Sequence, residues 1–138
     1  MHTEGGFSPA SEEAVRERSE LLGPTAQTVV REVAVAMEFD KTEYDKRVTS
    51  EVVERARNAL FASLLEVHIG MAEDFEDWQA GHPNYETHVV GNENVERIVW
   101  HVAPFAETAV AATFAHEERA AIETLRRQAF GRIYRESL

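Results

Sequence analysis

Residues Asn94–Phe105, with the sequence NVERIVWHVAPF, form the densest run of β-forming residues in the chain. Valine, isoleucine and tryptophan favour extended backbone, and successive side chains of a strand point to opposite faces of the sheet. This stretch therefore predicts an interior strand with two distinct faces. One face would carry Ile98, Trp100 and Val102, and the other Arg97, Val99 and His101.

Three neighbouring segments also alternate and complete a predicted sheet between about residues 64 and 115. LLEVHIG at 64–70 and YETHVV at 85–90 are typical of half-buried strands. ETAVAATFAHEE at 107–118 fits either an alanine-rich helix or a further strand with Val110, Ala112 and Phe114 on one face, and we favour the strand. Gly91–Asn94 predicts a turn that joins two of these strands into a hairpin, with His88 opposite Arg97.

Helices are predicted before, between and after the strands in the sequence. Ser11 and Asp40 are predicted N-caps, and Thr49 or Ser50 is predicted to be a third. Gly23–Pro24 predicts that a first helix, at 12–22, ends there and that a second helix begins. In the second helix a helical repeat predicts a buried stripe of Val29, Val30, Val33, Ala34 and Met37. Short helices are expected at about 40–48 and 71–82. A long final helix is expected at about 117–136, where Gly131 would mark close packing against a neighbour.

The sequence predicts one α+β domain. An antiparallel sheet of three or four strands would be packed on its apolar face by the N-terminal helices, at about 12–62, and by the final helix. Residues 1–10 contain two glycines and a proline without an apolar repeat, so we expect a flexible tail before a domain at 11–138.

The balance of acidic and basic residues predicts the salt concentration in which the protein works. The chain has 25 acidic and 14 basic residues, a net charge of −11, and only Lys41 and Lys46 are lysines. Molar salt shortens the Debye length to about 3 Å and removes the self-repulsion of such a surface, so this composition favours a salt-rich cytoplasm. An ordinary acidic bacterial protein is the alternative. No segment resembles a signal peptide or a membrane span, so a soluble protein without a membrane partner is expected.

Histidines on three predicted strands form the first candidate site. His68, His88 and His101 each share a side of their strand with a charged residue, and the possible metal ligands or general bases are His68, His88, His101, Glu66 and Glu86. The predicted hairpin would separate His88 from His101 by about 13 Å along the strand direction, too far for one metal ion. Partly exposed histidines of a sheet face are the competing interpretation.

Arginines of the final helix form the second candidate site, a patch for an anion or a partner. From residue 119 onward five arginines face two glutamates, a local charge of +3, whereas residues 1–118 carry −14. The patch comprises Arg119, Arg126, Arg127, Arg132 and Arg135. Phosphate or RNA could bind there, but the arginines could equally pair with carboxylates of the same protein or of a second subunit.

No motif specifies catalysis or a cofactor. The chain has no cysteine, no P-loop, no G-x-G-x-x-G and no G-x-S-x-G. His116-Glu117 begins like a zinc-protease motif, but residue 120 is alanine instead of the second histidine. An enzyme is therefore the less favoured interpretation, and the cofactor is left unspecified.

Three segments carry a resemblance to a known family: GPTAQTVVREVAVAMEFD at 23–40, VERIVWHVAPF at 95–105 and LRRQAFGRIYRE at 125–136. Together they resemble small haloarchaeal proteins of unknown function, over nearly the whole chain. The resemblance implies a salt-adapted cytoplasm and supplies no activity. We therefore predict first a non-enzymatic interaction or regulatory module that self-associates or binds a protein, then a metal-binding protein or small enzyme, and third a nucleic-acid-associated protein.

Overall fold

A computed structural model describes all residues, 1–138, and shows an α+β fold around a five-stranded mixed sheet. The elements are β1 (His2–Glu4), α1 (Glu12–Ala36), α2 (Lys41–Arg47), α3 (Ser50–Leu64), β2 (Val67–Met71), α4 (Ala72–Gly81), β3 (Glu86–Val90), β4 (Arg97–Ala103), β5 (Thr108–Phe114) and α5 (Glu118–Ala129). A 3₁₀ turn joins β4 to β5, and a π-helical turn at Phe130–Tyr134 continues α5.

Strand β4, from the segment that opened the sequence analysis, lies in the interior of the sheet as predicted. The strand order is β1-β2-β4-β5-β3, and β4 is antiparallel to both of its neighbours. Segment 107–115 forms β5, so the preference for a strand there is confirmed. The predicted sheet is wrong in two respects, because it has five strands and because β3 runs parallel to β5.

The predicted hairpin between β3 and β4 does not form. Residues 91–96 cross over β5 instead, and β3 occupies the edge of the sheet with His88 opposite Val110. Turn-forming residues indicate where the chain leaves a strand but do not determine which strand the next one joins. The predicted register, with His88 opposite Arg97, is therefore wrong.

Both faces of β4 are buried, and this is why its sequence is so apolar. The face with Val99 and His101 joins the larger core, formed with α1, α3 and α5. The opposite face, with Ile98 and Trp100, joins a smaller core with Phe75 of α4. The predicted alternation is confirmed, but the long helices pack on the face of Val99 and not on the face of Trp100.

Helix α1 is one continuous helix of 25 residues, with Pro24 inside it. The predicted break at Gly23–Pro24 is wrong, because one buried stripe runs through it at helical spacing and holds the two halves in register: Val15, Ser19, Ala26, Val30 and Ala34. The cap predictions are confirmed, since Ser11, Asp40 and Thr49 accept hydrogen bonds from backbone N–H groups at the starts of α1, α2 and α3.

The first ten residues contribute to the sheet, contrary to the prediction of a flexible tail. Strand β1 pairs with β2 at the sheet edge, and Phe7 forms a bridge with Leu65. The Phe7 ring packs edge-on against Phe61 at 5.3 Å between ring centroids. Partial burial of the Phe7 ring and backbone pairing together hold this segment in place. The glycine-rich composition of the segment indicates neither interaction.

The final helix begins at Glu118 and buries the predicted stripe of Ile122, Leu125, Ala129 and Ile133. Gly131 lies in the π-helical turn, and a Cβ atom built there would meet nothing within 4 Å. The prediction that this glycine marks close packing is therefore wrong.

Candidate functional site

His101 is fully buried in the larger core, and both of its ring nitrogens have partners. Nδ1 lies 2.7 Å from the backbone carbonyl oxygen of Glu66, and Nε2 lies 2.5 Å from the hydroxyl of Tyr134. A carbonyl can only accept, so Nδ1 carries the hydrogen and Nε2 accepts from the tyrosine. Burial lowers the pKa of His101 to about 4 and raises the pKa of Tyr134, so both groups are neutral near pH 7.

His68 lies on the opposite face of the sheet from His101. It is paired with Trp100 across β2 and β4, and the two rings stack at 5.2 Å between centroids. Its Nε2 lies 3.1 Å from a carboxylate oxygen of Glu66, with both side chains about three-quarters buried. The predicted pairing of His68 with Glu66 on one side of the strand is thus observed.

His88 lies on the edge strand β3. Its Nε2 is 3.5 Å from a Glu86 carboxylate oxygen, and its Nδ1 is 3.4 Å from a guanidinium nitrogen of Arg132. His88 and His101 face the same side, but Val110 of β5 stands between them in the same row. Two strand spacings separate them by about 10 Å.

The three strand histidines are therefore not brought together. Two local histidine–glutamate pairs exist, but the chain contains no group of three or more potential ligands of the His, Cys, Asp and Glu types that could hold a metal ion. Tyr134, the partner of His101, is not among the candidate site residues predicted from the sequence. A buried tyrosine that needs a hydrogen-bond partner was the signal that could have linked it to a buried histidine.

Two of the five predicted arginines are bound by the chain itself. Arg119 forms a bidentate pair with Glu4, at 2.8 and 2.6 Å, which ties β1 to α5 and lowers the pKa of the Glu4 carboxyl. Arg126 donates two hydrogen bonds, of 3.2 and 3.0 Å, to the carbonyl oxygen of Leu65. These arginines organise the fold between the N-terminal segment and α5.

The other three arginines lie near cavities. Arg132 donates to Gln128 and lines an open groove with Glu136. Arg127 and Arg135 line a separate pocket of about 280 Å³ between α3 and α5. A neighbouring pocket is lined by Arg119, Arg126 and Arg127 together with Glu123, so the structure brings three of the five predicted arginines together and places Arg132 apart from them.

The largest cavity, about 430 Å³, is an open groove at the ends of β3 and β5 beside the start of α5. Most of its lining is apolar, with His116, Glu117 and two threonines as its polar groups. Both His116 and Glu117 are exposed, and residue 120, where a zinc-protease motif has its second histidine, is alanine.

An apolar stripe on α1, formed by Val29, Val33 and Met37, is exposed where the sequence predicted core. The exposed fractions of these side chains are 40, 51 and 58 per cent, whereas Val30 and Ala34 beside them are buried. A helix of 25 residues is about 37 Å long, but the longest strands, of seven residues, are about 23 Å long. Helix α1 is therefore longer than the sheet, and α3 is the element that packs most extensively against it.

None of the helices combines the length and the hydrophobicity needed to cross a membrane.

A family model described as "Family of unknown function (DUF5809)" matches residues 6–135. This agrees with the resemblance to a family of unknown function over nearly the whole chain, while a haloarchaeal origin stays a prediction. Comparison with curated proteins and with solved structures gave no match.

Proposed function

This chain belongs to DUF5809, a family of unknown function, and we propose that it is a non-enzymatic interaction module that pairs with a second copy of itself. The observation that carries this proposal is the exposed apolar stripe on α1. Of the ten large apolar side chains that are exposed in the whole chain, five lie between residues 21 and 37. Continuous exposed apolar surface on a helix is typical of an interface.

The same part of α1 is almost free of charge. Between Leu21 and Met37 only Arg31 and Glu32 are charged, and their charges cancel, although the chain carries −11 overall. Two molecules of like charge repel one another wherever their acidic surfaces approach. The neutral segment of α1 is an exposed helix surface on which two copies can come together with little repulsion.

The spacing of the stripe allows a second copy of α1 to pair with it. Val29, Val33 and Met37 are one helical turn apart, so an antiparallel α1 from another molecule would place Val33 against Val33 and Val29 against Met37. Such a two-fold arrangement is self-complementary. Val52 of α3, the helix that packs against α1, is also exposed.

We expect a weak dimer that salt strengthens. The stripe is about 12 Å long, so the contact falls at the small end of specific interfaces. Raising the salt from about 0.1 M to about 1 M shortens the Debye length from about 10 to about 3 Å and removes most of the repulsion between the acidic surfaces. A salt-rich cytoplasm, predicted from composition, would provide this condition.

Sedimentation velocity over a concentration series at both salt concentrations tests the proposal. The wild type should form dimers in about 1 M KCl, and Val33→Asp should remain monomeric there because the dimer would bury two unpaired carboxylates. Val89→Asp is the matched control, since Val89 is 47 per cent exposed, close to the 51 per cent of Val33, but lies on edge strand β3. A wild type that is monomeric throughout, or equal loss of dimer in both variants, would refute self-association through α1.

The second and third interpretations draw less support from the geometry. The strand histidines are dispersed, and His101 already has partners on both nitrogens. The aromatic residues that nucleic-acid stacking would require, Phe130 and Tyr134, are buried.

A further inference from the structure

The pocket between α3 and α5 collects arginines without collecting carboxylates. It is lined by Arg55, Asn58, Arg127, Phe130 and Arg135, together with two alanines, and has a volume of about 280 Å³. We call it the arginine pocket. No aspartate or glutamate contributes to its lining, although the chain has 25 of them.

Two guanidinium groups of this pocket have no charged partner, and the third has a partner that is exposed to solvent. Arg127 reaches only the hydroxyl of Thr124, at 3.4 Å, and Arg135 lies over the Phe130 ring at 5.7 Å from its centroid. Neither arginine forms an ion pair. Arg55 pairs with Glu51 at 2.6 Å, but both side chains are more than two-thirds exposed, so water and salt weaken that pair.

The three guanidinium groups repel one another around one concavity, and only Arg55 has a carboxylate partner, the exposed Glu51. The neighbouring arginines show the alternative, since Arg119 is held by Glu4 and Arg126 by a backbone carbonyl. An anion bound between Arg55, Arg127 and Arg135 would replace the missing carboxylate and remove the repulsion.

We infer that the arginine pocket binds a small organic phosphate. Arginine offers paired N–H donors in a planar fork that matches phosphate oxygens, and Asn58 adds an amide that can donate or accept. Phe130 and the two alanines supply an apolar wall for the carbon part of the ligand. The volume lies near the lower end of the range of about 300–1,000 Å³ found for small-molecule sites, so the ligand is a small molecule and not a polymer.

Phenyl phosphate is a suitable probe, because it combines the phosphate with a small apolar group, and isothermal titration calorimetry at low salt measures its binding. The double variant Arg127→Gln, Arg135→Gln should weaken binding by at least about tenfold, since each removes a charge-assisted donor. Arg31→Gln is the charge control, because Arg31 is exposed on α1, does not line the pocket and forms no ion pair. It should change the affinity by less than about twofold.

A third variant separates the pocket from the general field of the arginines. Ala59→Leu puts a larger side chain on an exposed helical position that lines the pocket and alters no charge. It should reduce binding of phenyl phosphate as strongly as the double arginine variant, with circular dichroism confirming that each variant is folded. Absence of binding by the wild type, an equal loss in Arg31→Gln, or unchanged binding in Ala59→Leu would overturn the inference. So would retention of short single-stranded RNA by a wild type that does not bind phenyl phosphate.

Discussion

His101 is held in its neutral form by the core that surrounds it. Its two hydrogen bonds, to the Glu66 carbonyl and the Tyr134 hydroxyl, require one hydrogen on the ring, and no carboxylate lies against it to stabilise a second. A second ring hydrogen would reverse the bond to Tyr134, whose hydroxyl would have to accept instead of donate, and would place a charge inside the larger core. The residue is therefore a structural link between β4 and the end of α5.

Stability should decline with acidity through His101. Its pKa is about 4 in the folded protein and 6.5 when unfolded, so between these values the unfolded chain binds a proton that the folded chain does not. The contribution is complete above pH 6.5 and is lost as pH falls to about 4. Between about pH 7.5 and 4.5 this amounts to roughly 2–3 kcal/mol.

Urea unfolding of the wild type and of His101→Gln measures this effect. Carboxylates titrate in both proteins, so the difference between the two free energies of unfolding isolates His101. That difference should shrink by roughly 2–3 kcal/mol on acidification. His116→Gln, at an exposed histidine, is the control, and a His101→Gln protein that loses stability in parallel with the wild type would contradict the assignment.

Trp100 should contribute a large part of the stability of the smaller core. It is 1 per cent exposed and lies between the rings of His68 and Phe75, at 5.2 and 5.4 Å between centroids. Trp100→Ala should lower the free energy of unfolding by about 3–5 kcal/mol. Trp78→Ala, at the half-buried tryptophan of the same cluster, should cost less, and an unchanged thermal midpoint for Trp100→Ala would contradict the packing.

Single residues of β4 were predictable because alternation is a local property. The opposed faces of Ile98 and Val99 follow from the geometry of any strand. The surroundings of His101 were not predictable, since Glu66 and Tyr134 are 35 and 33 positions away in the chain. The same limit applies to Arg127 and Arg135, whose pocket requires Arg55 of α3.

At the scale of elements, caps were predictable and connections were not. Ser11, Asp40 and Thr49 start helices because their side chains accept bonds from N–H groups three residues on. The Gly23–Pro24 pair is an equally local signal for a helix end, but the buried stripe on both sides of it outweighs the signal. The parallel pairing of β3 with β5 depends on the whole sheet and cannot be predicted from the turn sequence at residues 91–94.

Helix α1 should become more stable when its proline is replaced. Pro24 is exposed inside the helix and has no backbone N–H to donate to the preceding turn. Pro24→Ala should therefore raise the free energy of unfolding by about 1–3 kcal/mol, because alanine restores that hydrogen bond and removes the clash of the proline ring. Thermal unfolding followed by circular dichroism measures this change.

Gly91→Ala is the contrasting variant. Gly91 has a φ of +106°, and a Cβ atom there would collide with the Thr113 side chain, so this substitution should destabilise the protein. Destabilisation by Pro24→Ala as well would show that α1 is not continuous through residue 24.

At the scale of the whole molecule, the exposed end of α1 shows why helical periodicity alone can mislead. Val33 and Met37 continue the spacing of the buried residues, so the sequence assigned them to the core. Periodicity identifies an apolar side of a helix but does not indicate which element covers it. The sheet is too short to cover this end, and we propose that a second copy does so.

The absence of cysteine permits a direct test of that pairing. In the proposed dimer Val33 meets its own counterpart near the two-fold axis, so single cysteines there come within the Cα separation of about 4.4–6.8 Å that a disulfide requires. Glu13→Cys provides the control, because Glu13 is exposed at the opposite end of α1. Under mild oxidation in about 1 M KCl, Val33→Cys should become a covalent dimer much faster than Glu13→Cys. Equal rates of cross-linking for the two variants would contradict the proposed dimer.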